Sequence, residues 1–229
     1  SFEHPAETLH SISLGTLNML EACRLLGRQV KLYHAGSSEC FGDTGGAPAN
    51  ETTPFRLRSP YAVAKASAYW LVDNYREAYG LFACTGILFN HESPLRPERF
   101  VTQKIIAAAR RIALGSPDKL RLGRLDIARD WGWAPEYVEA MWLLLQQPSP
   151  EDYVIATGVT TTLETFVATA FAAVGLDWRR HVEQDPQLFR PTDILCGRAD
   201  PSKARNGLNW QPRFGVPEVV RGMLDGLAV

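Results

Sequence analysis

The stretch Phe82-Ala83-Cys84-Thr85-Gly86-Ile87-Leu88-Phe89 constrains the fold more than any other part of the chain. An apolar run of strand length with no polar face reads as a strand buried on both sides. Such a strand belongs in a parallel sheet covered by helices on both faces, and the flanking pattern agrees. Thr16 to Leu26 sets Leu17, Leu20 and Cys23 at helical spacing, and Gly27 supplies a stop. Val30 to Ala35 is expected as a short strand running into Gly36-Ser37-Ser38-Glu39, and residues 42–58 as a loop rich in Gly, Pro, Thr and Asn. Ser59-Pro60 then opens a helix, with Ser as N-cap and Pro at the first helical position, that runs to Tyr79 and ends at Gly80.

Downstream, helices are expected over Val101–Leu114, from Pro135 towards Gln146, over Thr162–Val174, and after Asp200 and Pro217. Tyr153 to Ala156 reads as a strand, Arg121 to Trp133 as a polar loop, and the stripe Tyr137, Met141, Leu144, Leu145 as core. There are no repeats and no evident linker. The second half reads as a smaller lobe interleaved with the first.

Charge narrows the partners. The 24 Lys and Arg against 25 Asp and Glu leave a net charge of −1, so the basic surplus used by nucleic-acid and anionic-membrane binders is missing. No apolar run reaches the ~18 residues of a membrane span. Cys23, Cys40, Cys84 and Cys196 lie far apart. That spacing argues against a disulfide framework or a metal site and fits a reducing cytoplasm.

The chemistry centres on Tyr61-Ala62-Val63-Ala64-Lys65. Residues four apart on a helix share a face, with Cβ atoms about 5–6 Å apart. Tyrosine, with a pKa of about 10, is a poor base at neutral pH. An ammonium beside it and the positive end of a helix both favour its phenolate. Tyr61 in the first turn is expected to feel both, and a phenol so tuned can deprotonate an alcohol as the same carbon is oxidised. Tyr-x-x-x-Lys also arises by chance in many helices. Here Ser37, Ser38 and Glu39 follow an expected strand, where ligands of open α/β sheets bind. Alone, the two serines would pass for turn residues and Glu39 for a solvated acid.

With these residues in view, Ser-Ser-Glu followed by Tyr-x-x-x-Lys resembles the extended short-chain dehydrogenase/reductase family. Further strings resemble its GDP-mannose 4,6-dehydratase branch: Glu51 to Phe55, Arg58 to Lys65, Gly86 to Pro94, Phe100 to Thr102, Arg129 to Gly132, Ile155 to Gly158 and Phe189 to Thr192. The resemblance runs from Ser1 almost to Val229. It implies a partial Rossmann-type, doubly wound parallel sheet with a smaller C-terminal substrate lobe. Residues 1–92 would be the later part of the NADP-binding domain. Residues 93–229 would bind the sugar nucleotide and lend one strand, near 152–157, back to the sheet.

The resemblance further implies an NADP-dependent lyase that oxidises GDP-mannose at C4, eliminates water across C5–C6 and reduces C6. Tyr61 would take the C4 hydroxyl proton, Lys65 would lower the Tyr61 pKa and hold the nicotinamide ribose, Ser37 would bond O4, and Glu39 would be the base at C5. His91 and Arg96 would join Tyr61 and Lys65 in lining the NADP site. Ser38, Asn90, Lys104, Arg129 and Arg190 would contact substrate. The plainer alternatives are surface charges for Arg129 and Arg190, a solvated helix charge for Lys104, and a turn cap for His91. A homodimer or homotetramer is the implied assembly.

The chain departs from the family at Glu7 and Phe41 (often Tyr), at Leu95 and Gln103 (commonly Arg), and at Trp133 (usually His). Nowhere does it contain a Gly-x-x-Gly-x-x-Gly or Gly-x-Gly-x-x-Gly turn, which lets backbone approach a pyrophosphate. The chain is therefore expected to match the latter two-thirds of a family member, and by itself to bind NADP poorly and be inactive or unstable. A related NDP-hexose dehydratase, epimerase or 4-keto reductase stays open, as does a non-catalytic binding or oligomerisation module. Glu39 and the Asn90–Pro94 string speak against the former, and the retained Ser37, Glu39, Tyr61 and Lys65 against the latter.

Overall fold

All six residues of the strand Ala83–Leu88 are buried in the computed structural model, which describes residues 1–189 and 192–226. In chain order, α1 (Pro5–Leu9) passes through a π-helical turn (His10–Leu14) into α2 (Gly15–Leu25), followed by β1 (Leu32–Ser37). A 3₁₀ turn (Ser38–Phe41) and a long loop lead to α3 (Pro60–Tyr79), β2 (Ala83–Leu88) and β3 (Asn90–Glu92). Then come α4 (Val101–Ala113), β4 (Leu120–Leu122), β5 (Ala128–Trp133), α5 (Ala134–Gln146) and β6 (Tyr153–Ile155). β7 (Thr160–Thr162), α6 (Leu163–Ala173), β8 (Val182–Gln184), α7 (Ser202–Leu208) and α8 (Val216–Gly226) follow.

β1, β2 and β6 form one parallel sheet in the order β1-β2-β6. Alternate side chains leave its two faces, as the two-residue period of a strand requires. Cys84, Leu88 and Ile155 pack on Tyr137 and Leu144 of α5. Ala83 meets Leu20 of α2 with Val72 and Tyr75 of α3, while Ile87 and Val154 pack with Phe41 and Phe89. Helices thus cover both faces, which is the doubly wound Rossmann-type α/β arrangement. A second core gathers Ile105, Trp131, Phe166, Val219 and Met223 between α4, α6 and α8. Two small sheets, β3-β5-β7 and β4-β8, border it.

The cap reading of α3 holds in detail. Ser59 Oγ accepts the Ala62 N–H at 3.0 Å, Pro60 occupies the first turn, and Gly80 closes the helix at φ +63°. The polar loop expected over 121–133 is corrected: it contains β4 residues and all of β5. Asp130 is fully buried in that strand and accepts hydrogen bonds from Thr157 N, Thr157 Oγ1 and Gly158 N. A carboxylate satisfied so far along the chain leaves no apolar pattern to read. The first helix also begins earlier than its apolar spacing suggests, because Pro5–Leu9 buries nothing. Among the described residues, no helix is long and apolar enough to cross a membrane.

Candidate active site

The register of the first sheet assembles the site. Ser37, the last residue of β1, lies opposite Leu88, and Leu88 opposite Ile155. All three strands therefore end at one edge, where open α/β sheets bind ligands. Asn90 and His91 continue from β2 past that edge. After Ser37 the chain turns sharply, and Ser37 Oγ accepts the Glu39 N–H at 3.3 Å. The first turn of α3 brings Tyr61 to the same place, where its phenol is hydrogen-bonded with the Ser37 side chain. Glu39 Oε2 accepts from the Ser59 hydroxyl at 3.3 Å. Ser37, Glu39 and Tyr61 thus share one hydrogen-bonded cluster.

Gly42 makes the turn after Glu39 possible. It sits at φ +68° and ψ −142°, and a Cβ there would lie 2.3 Å from the Arg56 carbonyl oxygen. Gly42→Ala is expected to lower stability by at least about 1–3 kcal/mol from backbone strain alone. A shift in the urea midpoint reads this, and a loss under about 0.5 kcal/mol would contradict it.

Electrostatics at Tyr61 differ from the expected direction. Burial pushes the Tyr61 pKa up, opposed by the Ser37 hydrogen bond and by Arg96, while Glu39 pushes it further up. The Lys65 ammonium donates to the Ala35 carbonyl at 2.9 Å and lies 5.7 Å from the Tyr61 ring centre. Burial lowers the pKa of Lys65 in turn. The expected lowering of the Tyr61 pKa is corrected on this point, because removal from water outweighs the Ser37 hydrogen bond and Arg96.

Arg96 is fixed from two sides. Its guanidinium stacks 3.8 Å from the Phe100 ring centre, and its Nε lies 3.2 Å from the buried Glu92 Oε2. Burial pushes Glu92 up to about 7, against Arg96 and a Thr102 hydrogen bond. His91 stacks on Tyr137 at 4.8 Å, and its Nδ1 is hydrogen-bonded to the Phe89 carbonyl. Burial holds His91 below the usual imidazole range. A phenol, an ammonium and a guanidinium gathered at one sheet edge form a donor set that fits the ribose and phosphates of a dinucleotide.

Lys104 is exposed on α4 and donates to the Arg121 carbonyl at 2.8 Å. Arg129 opens β5 and donates to the Ala128 carbonyl at 2.9 Å. Ser38 is half-buried in the turn beside Ser37. Arg190 lies outside the described residues. Leu95 is 91% exposed, whereas Gln103 is buried in α4. Phe100, Glu92 and the second bond of Ser59 escape sequence reading. Ser59 carried only a capping signal, and the four-residue spacings of Glu92, Arg96 and Phe100 were the one clue to that stack.

The family model described as GDP-mannose 4,6 dehydratase matches residues 1–223. GDP-mannose 4,6 dehydratase 1 of Arabidopsis thaliana is 52% identical over 229 residues, covering 98% of this chain and 63% of that protein. The human GDP-mannose 4,6 dehydratase is 44% identical, covering 98% and 65%. The chain thus spans a little over three-fifths of the length of the plant relatives it matches. Among solved structures, RMD from Pseudomonas aeruginosa complexed with NADPH superposes with a TM-score of 0.89 at 23% identity, over 98% of this chain and 74% of that one. The chain belongs to the GDP-mannose 4,6-dehydratase family.

Proposed function

We propose that the protein carrying this chain converts GDP-mannose to GDP-4-keto-6-deoxymannose with NADP. The observation that carries the reading is the cluster joining Ser37, Tyr61 and Glu39. Alcohol oxidation needs only a phenol and a hydroxyl; a carboxylate beside them adds the base that elimination requires. Bound NADP supplies the hydride acceptor for C4 and the donor for C6, so none is consumed.

The proton movements fall to the protein. Ser37 holds O4 while Tyr61, as phenolate, takes its proton. The resulting ketone acidifies the C5 proton, which Glu39 removes. The C5–H electrons form a C5–C6 double bond as the C6–O bond breaks. Glu39 gives its proton to the departing hydroxyl, which leaves as water. Once C6 is reduced, Tyr61 returns a proton to C5, so both side chains recover their starting states.

Lys65, His91 and Arg96 join Tyr61 in holding NADP, while Ser38, Asn90, Lys104, Arg129 and Arg190 contact the sugar nucleotide. Residues 1–92 form the cofactor side and 93–229 mainly the substrate side, with one strand near 152–157 returned to the first sheet, a return that the pairing of β6 with β2 supports. A cytoplasmic setting is supported by four unpaired cysteines. A dimer or tetramer is supported by exposed Met19, Val63 and Trp70 on α2 and α3.

Glu39→Gln tests the reading. With GDP-mannose and NADP, oxidation at C4 is expected to survive while water loss falls by about 10²–10⁴-fold. Reduced cofactor then accumulates with a 4-keto sugar that still bears its C6 hydroxyl. Water loss at the normal rate removes Glu39 from the role of base.

A further inference from the structure

Ser59 serves two partners with one hydroxyl. Its oxygen accepts the Ala62 N–H at 3.0 Å and so caps the helix that carries Tyr61 and Lys65. Its hydrogen is directed to Glu39 Oε2 at 3.3 Å. Residue 39 is therefore tethered at both ends: its backbone N–H to Ser37, which bonds the Tyr61 phenol, and its carboxylate to the first turn of α3. Ser59 itself is held extended at φ −151° and ψ 157°, the region that a following proline favours.

We propose that Ser59 is a positioning residue that aligns the Glu39 carboxylate with Tyr61, so that the two bases meet adjacent carbons of one sugar. The inference rests on the reading of Glu39 as the base at C5. A helix cap alone does not demand a hydroxyl, because Asp or Asn caps as well as Ser. Donation to a carboxylate does demand a donor, and an ionised Asp has none. The requirement for both functions at residue 59 separates positioning from capping. A displacement of about 1 Å in a reacting group costs on the order of 10²-fold in rate.

The experiment compares Ser59→Asp, Ser59→Ala, Ser59→Thr and Glu39→Gln in the protein as it exists. Thermal midpoints are measured first. Ser59→Ala is expected to lower the midpoint by a few degrees through loss of the cap, and Ser59→Asp, which keeps the cap but sets a second carboxylate beside Glu39, to lower it as well. In single turnovers with GDP-mannose and NADP, both should form reduced cofactor within a few-fold of the wild-type rate. Both should then stall, with water loss slowed by about 10²-fold, and Ser59→Thr should restore it. If Glu39→Gln stalls while Ser59→Asp or Ser59→Ala eliminates water at the wild-type rate, the role of Ser59 is overturned. If Glu39→Gln does not stall, the base reading itself has failed, whatever Ser59 does.

Discussion

Tyr61→Phe is expected to reduce oxidation of GDP-mannose by about 10²–10⁴-fold, the range that a positioned proton acceptor contributes. The substitution removes one oxygen whose partner is Ser37, so the helix, its Ser59 cap and the thermal midpoint should be close to unchanged. The pH profile gives an independent check. Burial raises the Tyr61 pKa, and a base must be deprotonated to act, so the rising limb of the oxidation rate should lie on the alkaline side. The Ser37 hydrogen bond opposes that rise. Ser37→Ala should therefore move the limb to still higher pH, while Tyr61→Phe should abolish it. A Tyr61→Phe protein that oxidises substrate within ten-fold of wild type, with the limb in place, would falsify the assignment of Tyr61 as the proton acceptor.

What could be read from the sequence depended on how local its cause was. Helix α3 was legible because its start and stop are written in adjacent residues, Ser59-Pro60 and Gly80. β2 was legible because burial on both faces removes polar residues from a short run. β5 was not, since Asp130 is made tolerable inside a strand by Thr157 and Gly158, 27 and 28 residues away. The site divides in the same way. Four-residue spacing placed Lys65 beside Tyr61, but it could not show the ammonium turned to Ala35, 30 residues upstream, or the extent to which Tyr61 is buried. The Ser59–Glu39 bond spans 20 residues and only the β1–α3 packing creates it.

Asp152→Ala is expected to produce the largest loss of stability. Asp152, 8% exposed just before β6, accepts from Arg76 Nη1 at 3.0 Å and Nη2 at 2.8 Å and from the buried Thr85 N–H at 2.7 Å. One carboxylate thus joins α3, which carries Tyr61, to β2 and β6, two strands of the sheet at whose edge Tyr61 and Ser37 meet. The ion pair holds Arg76 well above the usual guanidinium range. Deleting one partner of a buried pair costs about 3–5 kcal/mol, because the remaining charge stays desolvated. Asp73, at 2.5 Å from Arg76, recovers part of that charge but cannot reach the Thr85 amide in its place. A chain of this size loses about 2–4 °C per kcal/mol, so the midpoint should fall by about 10 °C. Asp152→Asn keeps the shape and an acceptor for Thr85 while losing the charge, so its cost should fall between wild type and Asp152→Ala. Equal midpoints for Asp152→Ala and wild type would mean that the packing of β2 between α3 and α5, and not this carboxylate, holds the sheet edge in place.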